Sequence, residues 1–94
     1  MVLTITNNRK VVAVAGIAEA LVEVSTRCQW VIITAETDNT GVVVIGGSSV
    51  VAALATRKGL PLFAGESLTI LITELLNIFL DVTVSGEGVT YLFG

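Results

Sequence analysis

The chain has 94 residues, 53% hydrophobic and 14% charged, with a formal net charge of −3 and no histidine. Ninety-four residues make one small domain, and five basic residues scattered as Arg9-Lys10, Arg27 and Arg57-Lys58 form no stripe for a nucleic acid. A single cysteine, Cys28, excludes an internal disulfide, so stability has to come from packing and assembly.

A chain this short hides only about 60–65% of its unfolded surface when it folds alone. Its apolar content exceeds what one small core holds, so part of it is expected to be covered by another subunit. The charge-free run from Asn39 to Thr56 is just long enough to consider as a membrane span. It contains Asn, two Thr, two Ser and three Gly, and no Lys/Arg cluster or aromatic belt brackets it, which favours a hydrophobic β domain without a membrane partner. Thr4, Thr6, Asn7 and Asn8 interrupt the first apolar residues, so no signal peptide is expected.

Met1–Thr6 alternates weakly and is broken by Asn7-Asn8. Residues 1–16 therefore read as an N-terminal arm or edge strands ahead of a single sandwich domain at 17–94, with Asn7-Asn8-Arg9-Lys10 as a flexible joint. Lys10–Ala15 is rich in Val and Ala and stops at Gly16. Ile17, Ala20, Leu21 and Val24 fit a helical stripe, but the β-branched Val22 and Val24 favour a strand over Ala20–Val24.

Trp30–Glu36 reads as a strand with Val31 and Ile33 on one face and Trp30, Ile32 and Thr34 on the other. Asn39-Thr-Gly41 predicts a tight reversal into Val42–Ile45, which is apolar on both faces and suits a strand covered on both sides. Gly46-Gly-Ser-Ser49 ends that strand, and Val50–Ala55 fits a short helix or a loop with a strand-like end. Leu60-Pro-Leu-Phe63 is extended but not a central strand, because Pro61 lacks the donor. Ala64-Gly-Glu-Ser67 reads as a turn with Gly65 at positive φ.

Leu68, Ile70 and Ile72 form an inward row with Leu71 as its exception, and Thr73–Asn77 is a helical turn or loop. Ile78, Leu80, Val82 and Val84 oppose Phe79, Asp81 and Thr83. Ser85–Gly88 predicts a hairpin turn into a last strand whose Val89, Tyr91 and Phe93 share a face. About 7–9 short strands with turn signals every 8–12 residues argue for an all-β fold, an antiparallel, jelly-roll-like β-sandwich.

Candidate chemistry is sparse. The missing histidine removes the commonest general base and metal ligand, and with it every Ser-His-Asp or Cys-His arrangement. Gly65-Glu-Ser67 has the start of a nucleophile elbow, but Thr69 replaces the closing glycine. Gly46-Gly47 lacks the lysine of a P-loop and the third glycine of a dinucleotide fingerprint. Glu36, Asp38, Glu66 and Glu87 sit at turns as solvated charges, and their spacing matches no calcium loop. Cys28 reads as a small buried hydrophobe and Trp30 as a core or interface anchor. No catalytic, cofactor or metal site is expected, and the chain does not read as an enzyme.

Five segments carry a resemblance. They are Trp30-Val-Ile-Ile33, Asn39-Thr-Gly41, Val43-Val-Ile-Gly46, Gly59-Leu-Pro-Leu-Phe-Ala-Gly-Glu-Ser67 and Gly88-Val-Thr-Tyr-Leu92. In this order they resemble small β-structured virion proteins of tailed bacteriophages. The resemblance implies a structural role on the outer surface of the head, as a decoration or cement subunit. It further implies a homotrimer bound to the major capsid protein. Tail, connector or fibre modules belong to the same group. A small module binding carbohydrate or a host surface through an exposed Trp30 or Tyr91 is the alternative of a different class.

Overall fold

The computed structural model describes residues 4–94. Among them are eight strands, β1 (Thr6–Val11), β2 (Glu19–Ala20), β3 (Val31–Ala35), β4 (Val43–Gly46), β5 (Leu60–Leu62), β6 (Ser67–Ile70), β7 (Phe79–Val82) and β8 (Gly88–Phe93). They form two four-stranded sheets, ordered β1-β8-β3-β6 and β2-β7-β4-β5. Every pairing is antiparallel. Consecutive strands change sheet at every connection except β4 to β5, which is the wiring of a jelly roll. The expected all-β sandwich is the fold.

The core follows from alternation. In β3, Val31, Ile33 and Ala35 are fully buried while Ile32 and Thr34 are half-buried on the outer side. Their partners Tyr91 and Val89 in β8 and Leu68 and Ile70 in β6 lie on the same inner face. Ile45, Leu62, Leu80 and Val82 meet them from the second sheet. β4 is covered on both sides, as its unbroken apolar run predicts. Val43 and Ile45 enter the main core, whereas Val44 joins Val50 and Ala52 in a second cluster outside the sheet. Leu71 is 84% exposed, the exception its place in the alternation requires. Pro61 lies in β5, an edge strand, where a missing N–H costs no ladder bond.

Four expectations are corrected. Asn7-Asn8 does not break the chain, because both residues lie inside β1 and pair with Leu92 and Tyr91. An edge strand needs no inward apolar side chain to hold its ladder, so the polar run is compatible with pairing. The first three residues of the expected Met1–Thr6 alternation lie outside the described residues. The strand placed at Ala20–Val24 is only Glu19–Ala20, ending where Leu21 turns its side chain into the core and its N–H donates to the Ile78 carbonyl at 2.8 Å. The reversals at Asn39–Gly41 and Ser85–Gly88 are not hairpins. Each carries the chain from one sheet to the other, a span of about 10 Å that a two-residue hairpin loop cannot cover. No residue of Asn39–Gly41 has positive φ.

Positive φ does occur at Gly65 (81°), as its turn requires, and at Gly16 (90°). Gly88 is glycine for another reason. A Cβ there would lie 2.0 Å from the Lys10 carbonyl oxygen and 2.7 Å from the Val11 Cα, both rigid backbone atoms. Gly88→Ala is therefore expected to prise β1 from β8 and cost about 1–3 kcal/mol, toward the upper end. Gly16→Ala meets nothing within 4 Å and is expected to cost only its backbone strain, about 1 kcal/mol. Urea midpoints of the two variants check the order.

Candidate interaction surface

Two loops lie over the outer face of the sheet β2-β7-β4-β5, and their sequences contain no charged residue until Arg57. One is residues 12–18, from Val12 through Gly16 to Ala18; the other is residues 47–56, from Gly47 to Thr56. Chain laid over a sheet leaves backbone N–H groups without ladder partners, and each has to find an acceptor. Asp81, on β7, supplies it. Its Oδ1 accepts from Gly16 N–H at 3.0 Å and Val82 N–H at 2.9 Å, and its Oδ2 accepts from Ala52 N–H at 2.9 Å. Asp81 is only 1% exposed, so one buried carboxylate ties both loops to the sheet and sets them side by side.

Beneath the loops, Ala18, Val42 and Phe79 pack against Val44, Val50 and Ala52. Above them, apolar side chains point into solvent: Val14 is 50% exposed, Ile17 61% and Leu54 79%. Ala13, Ala53 and Ala55 are exposed beside them. Val84 is exposed next to Ser85, whose hydroxyl accepts from Ala15 N–H at 2.9 Å. Loops are ordinarily polar, and isolated exposed apolar residues need no explanation. Here they gather on two adjoining uncharged loops, which makes the face a candidate contact surface.

The opposite face, the outer side of β1-β8-β3-β6, has different chemistry. It presents Asn7, Arg9, Thr34, Ser67, Thr69 and Thr90, with Ile32 and Leu92 between them. Thr34 Oγ1 and Ser67 Oγ share a hydrogen bond at 2.7 Å. Arg9 pairs with Glu36 across β8, its Nη2 donating to Glu36 Oε1 at 3.2 Å. The sandwich thus has one face of mostly polar strand residues, with Leu92 and, at its margin, Leu71 exposed among them, and one covered by uncharged loops that expose apolar side chains.

Of the four turn carboxylates, Asp38 and Glu66 are exposed as expected and Glu36 pairs with Arg9, but Glu66 and Glu87 also fasten backbone amides. Glu87 accepts from the N–H groups of Thr40 (2.7 Å) and Gly41 (2.9 Å) and from the Thr40 hydroxyl, holding the β3–β4 crossover against the β7–β8 crossover. Asn39, 9% exposed, donates from Nδ2 to the Gly88 carbonyl at 2.9 Å in the same corner. Glu66 accepts from Phe63 N–H at 2.8 Å and closes its own turn. Glu74 accepts from the Ser25 hydroxyl, from Thr26 N–H at 2.6 Å and from Leu76 N–H at 3.0 Å, capping the 3-10 turn Leu75–Asn77. Glu19 takes Lys10 Nζ at 2.8 Å and Ala13 N–H at 2.8 Å, closing the side of the sandwich where β1 faces β2.

The remaining residues singled out from the sequence are not brought together. Tyr91 is buried, 5% exposed and stacked on Phe93, which removes it as an exposed platform for a sugar ring. Trp30 is half-buried at the far end of the sheet, close to Gly94. Cys28 is half-buried and its thiol donates to the Ile72 carbonyl at 3.1 Å; desolvation, then the Glu74 charge, raises its pKa and keeps it a thiol. Among the described residues, no three His, Cys, Asp or Glu side chains converge on a metal-sized site, and no helix is long and apolar enough to cross a membrane. A shallow groove of about 360 Å³ runs between β1 and residues 21–26, over Tyr91 and Phe93. No protein-family model matches this chain, and neither a curated protein nor a solved structure matches it.

Asp81 sits at an outward-facing strand position beside Phe79 and Thr83, and alternation alone offers no sign that it is buried. The signal in the sequence is indirect: a lone carboxylate in the middle of a strand, with two long uncharged segments elsewhere in the chain.

Two outcomes follow. Asp81→Ala strands the Gly16 and Ala52 amides, at about 1–3 kcal/mol for each one left without a partner, and amide exchange at those two residues should accelerate more than in the core strands. Glu19, Glu74 and Glu87 all have pKa values lowered in the fold, by Lys10, by the Ser25 hydroxyl and by the Thr40 amide respectively, with further amides adding in each case. A carboxylate whose pKa is lower folded than unfolded stabilises above the unfolded value and loses that contribution as pH falls through the folded one. Stability should be full at neutral pH and decline below about pH 4.3, with Glu87→Gln flattening the acid limb of a pH series of thermal melts.

Proposed function

We propose that this protein is a structural subunit of a phage head, a decoration (cement) protein. It sits on the outer surface of the shell as a homo-oligomer and bridges neighbouring major capsid protein subunits. The observation that carries the reading is the contrast between the two faces of the sandwich. One bears Val14, Ile17 and Leu54 exposed on uncharged loops held by Asp81, and the other is lined mostly with Thr, Asn and Ser, with Leu92 among them and Leu71 at its margin. A subunit that lies on a shell needs one face able to give up water and one content to keep it. The resemblance of the segments from Trp30 to Leu92 to phage virion proteins supplies the particular shell. A jelly roll by itself serves capsids, lectins and enzymes alike and does not choose among them.

A contact patch of about 800 Å² per partner, at about 25 cal/mol per Å², gives an upper bound of about 20 kcal/mol before association costs of about 4–15 kcal/mol. Several such contacts per oligomer add by avidity. Loops already fastened to their sheet lose little further freedom on binding, which lowers the ordering cost. Enzymatic turnover has no place in this reading: five of the eight acidic residues, Glu19, Glu66, Glu74, Asp81 and Glu87, are engaged in holding backbone amides.

Purified heads should contain the protein in copy numbers comparable to the major capsid protein, measured by quantitative mass spectrometry; its absence from heads rejects the reading. Ile17→Asp and Leu54→Glu should each weaken binding to undecorated heads by about tenfold or more, while Thr90→Glu on the polar face leaves it unchanged. Equal behaviour of all three in a pelleting assay would reject the face assignment. Charge at Val43, which is fully buried, should abolish folding instead.

A further inference from the structure

The four sheet edges of this sandwich are not equally protected. β2 is two residues long, and β5 is three residues with Pro61 in its middle. β1 carries Arg9 and Lys10, and its outward Arg9 N–H is taken by the Asn8 side chain, with Asn8 Oδ1 accepting at 2.8 Å. Short length, proline, charge and self-capping are the ordinary means of blocking an edge. β6 has none of them. Its sequence Ser-Leu-Thr-Ile continues as Leu71-Ile72 without a charge, a proline or a glycine.

The direction of its free groups can be fixed. Ala35 N–H donates to the Glu66 carbonyl at 2.9 Å, and the Cys28 thiol donates to the Ile72 carbonyl at 3.1 Å. Residues 66 and 72 therefore face the β3 side, and by alternation so do Leu68 and Ile70. The backbone N–H and C=O of Ser67, Thr69 and Leu71 face away. Among the described residues nothing pairs with that side of β6. Leu68 and Ile70 are half-buried, packed on the core along one flank only, and Leu71 stands 84% exposed at the strand's end.

We propose that two copies of this chain join edge to edge through β6, antiparallel about Thr69, so that their two β1-β8-β3-β6 sheets become one continuous sheet. A second copy fits this edge because the strand is self-complementary about Thr69, its half-buried Leu68 falling opposite the partner's half-buried Ile70. A two-fold axis sets each side chain of the strand against the same strand's other end and residue 69 against itself, so only a charge at position 69 would meet its like. β6 carries none. The pairing sets Thr69 opposite Thr69 and Ser67 opposite Leu71 in hydrogen-bonded pairs, and Leu68 opposite Ile70 twice in the closer pairs on the core side. The half-covered apolar row is thereby closed, and Thr–Thr and aliphatic cross-strand pairs are both favourable. The phage-protein resemblance implies a trimer, but three-fold closure would need β6 to meet a different surface of its neighbour. The other edge of the same sheet is the blocked β1.

The test is the mass of the isolated full-length protein by sedimentation equilibrium at micromolar concentration, which is independent of any head binding. The parent chain should be a dimer. Thr69→Pro removes an N–H that the fold does not use and should halve the mass with an unchanged circular dichroism spectrum. Thr69→Lys, which sets two lysines together at the axis, should do the same and decides the matter if the proline variant fails to fold. Asn7→Pro, at an outward N–H of the blocked β1 edge, should remain dimeric. A monomeric or trimeric parent, dimers that persist in both Thr69 variants, or dissociation by Asn7→Pro alone each overturns the proposal.

Discussion

A backbone amide that leaves a β-ladder has to find an acceptor, and in a jelly roll the chain leaves a ladder almost every time a strand ends. Each crossing between sheets, and each loop laid across a sheet's outer face, removes N–H groups from water without giving them a ladder partner. In this protein carboxylates take that role. Glu87 fastens one crossover to another, Glu74 caps a 3-10 turn, and Asp81 holds two loops from beneath. Hydrogen bonds from amides to ionised oxygens are stronger than those to carbonyls. Few charges are therefore enough for the task.

This arrangement also explains how an apolar loop can stand exposed. A free run such as Val-Ala-Val-Ala-Gly-Ile would fold back onto any nearby apolar surface. Anchored through Gly16 to Asp81, through Ala13 to Glu19 and through Ala15 to Ser85, the run is fixed with Val14 and Ile17 outward. The carboxylates' polar work on the inside is what permits an apolar surface on the outside. The polar opposite face needs no such help, because its residues belong to regular strands.

Much of the fold was legible because strand alternation is a local property. The inward rows of β3, β6, β7 and β8, the double burial of β4, the exposure of Leu71 and the positive φ of Gly65 all follow from residue order. What was not legible is which sheet a strand joins. Asn39–Gly41 and Ser85–Gly88 have the composition of hairpin turns, but composition reports only that the chain bends. The partner strand is chosen by residues far away in the sequence. β1 shows the same limit from the other side: Asn7-Asn8 has weak strand propensity, and the unbroken ladder with β8 overrides it. The exposed apolar side chains of the candidate surface were legible only in outline, as apolar content in excess of the core. The location of that surface depends on Asp81, whose burial is set by two loops that no spacing connects to it.

The position of β8 has a consequence for how the molecule comes to be made. The last strand in the chain lies inside its sheet, between β1 and β3, with Thr6 paired to Phe93. β1 therefore has no ladder partner until β8 has been synthesised. Contacts of such long sequence separation carry a large closure entropy and slow folding. During that wait the strands made before β8 and the uncharged loops stand without their sheet partners, so dependence on chaperone protection is greatest just before β8 emerges.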